Sequence, residues 1–156
     1  IEELWKLENN EVYPNVFYMK RGSIMTLDDG RNVLFMGGGL SIDRESRILG
    51  GGDNGWFHEE ILTQQDVMSI PLDTKIDIVI SHTCPEEFEM PYVVHQSGKY
   101  KDFSRTALSY VLETFRPSLW HFGHWHVMLT GYDHGCRWYC MNRENNGAGW
   151  WLPLRK

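Results

Sequence analysis

The sequence predicts an α/β domain, and three observations carry that prediction. Ile78-Val79-Ile80, entered through Asp77, is a short apolar run of the kind that forms a buried, often parallel strand. Residues 102–115 place Leu108, Val111, Leu112 and Phe115 at i, i+3, i+4 and i+7, which gives a helix one apolar face. Ser118-Leu119-Trp120-His121-Phe122 follows as a second strand. Strand, helix, strand is the crossover that joins parallel neighbours in a sheet. The 156 residues suffice for one domain with a real core and are too few for two, so 1–156 reads as a single domain.

The remaining elements follow in order. Residues 1–8 read as a short helix already under way at Ile1. Residues 15–19 and 23–27 are β-rich, Asp28-Asp29-Gly30 is a turn, and 32–36 returns as the second strand of a hairpin. Glycine triplets at 37–39 and 50–52, with Gly55 beyond, bracket a charged stretch, Ser41-Ile42-Asp43-Arg44-Glu45-Ser46-Arg47, and Trp56 follows closely. This segment reads as a long surface loop bordering a site. Residues 58–69 are helical in pattern, and 86–101 form a loop. Asp102 or Ser104 caps the clear helix, and Arg116-Pro117 ends it. Residues 127–132 and 136–141 form a second hairpin turning at Asp133-His134-Gly135.

Composition excludes several function classes. Apolar residues at 42% and charged residues at 23% are not the balance of a disordered chain. Lys plus Arg is 15 against 21 Asp plus Glu, a net charge of −6, which lacks the basic footprint of a nucleic-acid binder and disfavours anionic lipid. No apolar run of membrane-spanning length occurs, and no signal-peptide pattern opens the chain. Cys84, Cys136 and Cys140 are too few and too odd for a disulfide framework and read as buried thiols in a reducing, cytoplasmic setting. The seven tryptophans divide between core and contact surface in a way the sequence leaves open.

The chemistry lies at two strand ends. One carries Ser81-His82, the other Gly123-His124-Trp125-His126. The helix between them is a crossover, so His82 and the His124/His126 pair come to the same edge of the sheet, outside the carboxyl ends of the strands. Imidazoles converging on strand-end loops make a metal-site arrangement, with Gly123 expected to supply the sharp turn. His58, His95, His121 and His134 read as ordinary surface or packing residues.

Ser81-His82-Thr83-Cys84-Pro85 and Gly123-His124-Trp125-His126, separated by one amphipathic helix, resemble the last two motifs of the calcineurin-like metallophosphoesterase family. The stretch from Gly37 through Ser41-Ile42-Asp43 and Arg47 to residues 56–60 is similar to bacterial and phage members. The resemblance implies a β-sandwich flanked by helices, holding two divalent ions drawn from Mn, Fe, Zn or Ni. It implies that His82 and His124 bind one ion and His126 the other. Activity on a phosphomonoester or phosphodiester follows from the same resemblance, with metal-activated water attacking phosphorus. Arg44 and Arg47 are substrate-binding candidates from their loop position and the fit of guanidinium to phosphate.

The family's earlier motifs, Asp-X-His, Gly-Asp-X-X-Asp and Gly-Asn-His, do not occur in this sequence. By the resemblance the chain corresponds to the C-terminal portion of the domain, without its N-terminal strands. No carboxylate is then placed to bridge two dications. The expected partners are a phosphoester substrate and either further copies of the chain or a complementing N-terminal half, with no membrane and with nucleic acid disfavoured by the net charge. The competing reading is a non-catalytic remnant or binding module that holds one metal or none and self-associates.

Overall fold

The structure is a computed structural model that describes residues 10–41, 44–50, 55, 57–90 and 102–154. The helix expected over residues 1–8, Asp43, Gly51, Gly52, Asp53, Trp56 and His95 lie outside the described residues. Strands β1 (Glu11–Tyr13) and β2 (Val16–Phe17) form a two-stranded antiparallel ribbon apart from the main sheet. Its turn runs through Pro14 and Asn15, and Asn15 adopts φ 63°, a conformation its short amide side chain tolerates.

The first expected hairpin is present. β3 (Ile24–Thr26) pairs antiparallel with β4 (Asn32–Met36), and Gly30 turns the chain at φ 84°. Between β4 and the next strand the structure departs from expectation twice. Residues Arg44–Gly50 form a helix, α1, where the glycine brackets suggested a loop. Arg, Glu and Leu in that stretch are good helix formers, and flanking glycines do not cancel that preference. Residues 58–69 do not make one helix. A 3-10 turn (His58–Glu60) is separated from α2 (Gln64–Met68) by extended backbone at Ile61 and Thr63. The break drives Leu62 into the core at 1% exposure, and its amide donates to the Ser104 hydroxyl, 3.0 Å away. Thr63 and Asp66 then restart the helix with a reciprocal capping box.

β5 (Ile78–Ser81), α3 (Phe103–Phe115) and β6 (Leu119–Phe122) form the predicted crossover. The Asp102 carboxylate accepts the Ser104 amide, 2.9 Å, and Arg116 at φ 47° closes the helix before Pro117. β7 (Leu129–Asp133) and β8 (Cys136–Cys140) make the second hairpin. Its two turn residues, His134 and Gly135, both have positive φ (51° and 79°), the requirement of a type I′ turn. The six-stranded sheet runs β3-β4-β5-β6-β8-β7. The four central strands are parallel and the edge strands β3 and β7 antiparallel.

The α/β class is therefore the one predicted: a mixed sheet flanked by few helices, consistent with a metallophosphoesterase-like fold. Leu34, Met36, Val79, Trp120, Phe122 and Trp138 from the strands meet Leu108, Val111 and Leu112 of α3 in one core. Phe88 packs between Trp120 and Trp138 with ring centroids 5.6 and 5.5 Å away. Gly131 is forced by this packing, since a Cβ there would lie 2.2 Å from Trp138 Cζ2. The tryptophans divide accordingly: Trp120 and Trp138 are core, while Trp150 and Trp151 are exposed. All three cysteines are free and buried. Among the described residues, no helix is long and apolar enough to cross a membrane.

Candidate functional site

β5 and β6 are parallel neighbours in register Ile80↔His121, so they end together. Beyond their last pair the Gly123 amide donates to the His82 carbonyl, 3.0 Å. This bond roots both histidine loops at one edge of the sheet. The rings follow: His82 Nε2 and His124 Nδ1 lie 3.1 Å apart, with centroids 4.9 Å apart at 71°.

The turn that presents His124 is not made by Gly123, whose φ is negative and where a Cβ would meet nothing closer than 3.9 Å. His124 and His126 themselves take the left-handed conformation, at φ 68° and 54°. L-residues seldom adopt it outside turns and functional sites. The Trp125 amide donates to the Gly123 carbonyl between them, 2.8 Å. His126 is exposed, near enough that its charge bears on both His82 and His124.

Burial pushes the His82 imidazole below its ordinary value, against the pull of the Glu60 and Asp102 carboxylates. Burial, joined by the neighbouring His82 and His126, lowers His124 to about 4. Both rings are therefore neutral at pH 7, the form that offers a lone pair to a cation.

The glycine-rich loop does border this pair. A Cβ on Gly39 would stand 3.1 Å from His82 Cδ2 and 3.4 Å from Thr83. Arg21 holds the loop: Nε donates to the Gly37 carbonyl, Nη2 to Glu59, Nη1 to Ile61 and to the Asp66 carboxylate. Of the two predicted arginines, Arg47 grips Glu60 through two bonds, Nη1 to Oε2 at 3.1 Å and Nη2 to Oε1 at 2.9 Å. Arg44 lines a cavity of about 1040 Å³ between α2 and α3, whose walls include Leu40, Leu62, Val67, Phe103 and Tyr110.

The two facing nitrogens share a hydrogen bond, one ring donating its N–H to the other, and the same spacing fits a shared cation that would take that proton's place. With each about 2.0–2.1 Å from one ion, cis ligands sit roughly 3.0 Å apart at a right angle and roughly 3.4 Å apart in a tetrahedron. The observed separation of 3.1 Å lies in that interval. The fit is partial, because no group of three or more His, Cys, Asp or Glu is arranged to hold a metal among the described residues.

Sequence reasoning missed Arg105. It lies three residues before Leu108 on the apolar face of α3, and a cation on such a stripe was the available signal. A family model described as calcineurin-like phosphoesterase matches residues 2–128. No curated protein matches the chain.

Proposed function

The chain belongs to the calcineurin-like phosphoesterase family, and from that premise we propose that its histidine edge serves metal-dependent phosphoester hydrolysis. The observation that carries this reading is the opposed His82 Nε2 and His124 Nδ1, 3.1 Å apart at the ends of adjacent parallel strands. His82 and His124 would hold one divalent ion and His126 would contribute to a second. The ion supplies Lewis acidity toward a phosphoryl oxygen.

The chain's own residues prepare the site. Burial favours the neutral form of both imidazoles, and of the two facing nitrogens one carries the N–H of their mutual hydrogen bond, the proton an ion would displace. The Gly123–His82 backbone bond roots both loops at the same point of the sheet edge, and Gly39 lets the glycine-rich strand end close against His82. Arg44 and Arg47 remain the candidates to meet a phosphoryl group; Arg47 would do so while its guanidinium is held by Glu60, and Arg44 from the wall of a cavity whose lining includes none of the three histidines. A phosphomonoester and a phosphodiester are both compatible with this arrangement. Among the described residues no carboxylate is grouped with these histidines, so one that bridges two ions would come from elsewhere in the chain or from a complementing partner.

The test is metal content and turnover together. Purified protein equilibrated with Mn²⁺ is expected to retain metal, and His124→Ala is expected to lose it. Hydrolysis of chromogenic phosphomonoester and phosphodiester substrates is then compared with and without an added upstream segment. Equal metal in wild type and His124→Ala would end the ligand assignment. Metal retention without turnover in either form would favour the binding-module reading.

A further inference from the structure

Arg105 is a guanidinium in an unusual place. It is 8% exposed, on the apolar face of α3, and makes no ion pair among the described residues. The Asp102 carboxylate acts on it only at longer range, so the buried charge must be matched chiefly by dipoles. Here Nε donates to the Cys84 carbonyl at 3.1 Å, and Nη2 to those of Pro85, Glu86 and Phe88 at 2.7, 3.1 and 3.1 Å. Those carbonyls belong to the loop that begins two residues after His82. The guanidinium carbon also lies 5.5 Å from the centroid of Trp125, a cation–π distance. Trp125 stands between His124 and His126 and meets the His124 ring edge-on at 5.3 Å.

One planar group thus touches both histidine loops. The backbone bond from Gly123 to His82 fixes only where the loops begin. Past that point the second loop passes through two left-handed histidines, a strained path that needs external support. The first loop has no strand pairing beyond Ser81. We propose that Arg105 is the positioning residue of the site: by clamping the 84–88 carbonyls and seating Trp125, it sets the spacing of the His82 and His124 imidazoles. This inference rests on the proposed function, in that the spacing matters because the two rings would share a cation.

Co²⁺ titration of the full chain, followed by the visible absorption band, tests it. Arg105→Gln is expected to weaken Co²⁺ binding about ten-fold or more, as loss of outer-sphere support does elsewhere, and to shift the band. Ser104→Ala is the control, since it removes a buried acceptor from the same helical turn without touching either histidine loop. It is expected to lower the melting temperature and leave the band in place. Should Arg105→Gln fail to fold, Trp125→Leu removes only the ring that couples the guanidinium to His124, and the same direction of band shift is expected.

An unshifted band in the arginine and tryptophan variants, or an equal shift in Ser104→Ala, overturns the positioning role. A wild-type chain that binds no Co²⁺ sinks the proposed function instead. The clamp is then read by ¹⁵N-resolved spectra of the imidazoles. Loss of the His82–His124 contact in Arg105→Gln supports it, and an unchanged contact overturns it.

Discussion

Two loop clusters at the same edge of the sheet are each organised by an arginine, and they are built differently. After β4, Arg21 ties Gly37, Glu59 and Ile61 together and is balanced by Asp66 at 3.1 Å, with both side chains about a quarter exposed. Arg47 and Glu60 repeat that arrangement nearby at similar exposure. After β5 and β6, Arg105 performs a comparable clamping with carbonyl dipoles and an indole, and with no carboxylate in ion-pair contact among the described residues. Partly exposed ion pairs are weak and adjustable, because water competes with each partner. A buried arginine committed to carbonyls is neither, since removing it leaves several acceptors without donors. The glycine-rich side can therefore adapt, while the histidine side is held rigidly, as a geometry set by facing imidazoles requires.

The sharpest way to break this comparison is Arg105→Met. Stranding the Cys84, Pro85 and Phe88 carbonyls is expected to destabilise the fold by about 2–4 kcal/mol in urea unfolding. A loss below that of Arg21→Met would reverse the ranking. Next in size is Gly39→Ala, whose methyl would press on His82. About 1–2 kcal/mol of destabilisation and a displaced His82 imidazole resonance are expected. Gly37→Ala, with open space around its Cβ, is expected to change stability by less than about 0.5 kcal/mol.

Arg47→Lys loses the two-pronged grip on Glu60 and is expected to lower stability by less than about 1 kcal/mol, with the difference shrinking in high salt. The smallest effect is a pH dependence on the glycine-rich side. Burial alone would raise the Asp66 carboxyl, but Thr63 hydrogen bonds and Arg21 outweigh it and hold it below its ordinary value of 3.8. Its contribution is thus fully present above pH 3.8 and is lost as pH falls through the lower folded value. Asp66→Asn is expected to remove that acid-side slope from the unfolding profile. A slope unchanged in the variant would show that other carboxylates produce it.

Much of the fold was legible from local pattern. The α3 stripe, the Asp102 cap and the Arg116-Pro117 stop are written in spacing and turn chemistry, and they appear as predicted. The hairpin turns at Gly30 and at His134-Gly135 were legible for the same reason. Residues 58–69 were not, because Leu62 leaves a helical path to reach a core acceptor on α3, a contact that no periodicity encodes. Helix α1 was missed because bracketing glycines outweighed the good helix formers between them. At the site, the convergence of His82 and His124 followed from strand, helix and strand. The assignment of the turn to Gly123 did not hold, since the structure gives the left-handed positions to the histidines.

The sequence by itself determined the α/β class, the crossover and the edge at which the histidines gather, because apolar periodicity and chain connectivity dictate those directly. The tertiary structure alone decided that the two rings face nitrogen to nitrogen, that burial keeps them neutral, and that Arg47 clasps Glu60. It alone placed Arg105 beneath both loops. Those features depend on distances between segments far apart in the chain and on how completely water is excluded from them, and neither quantity is carried by local residue order.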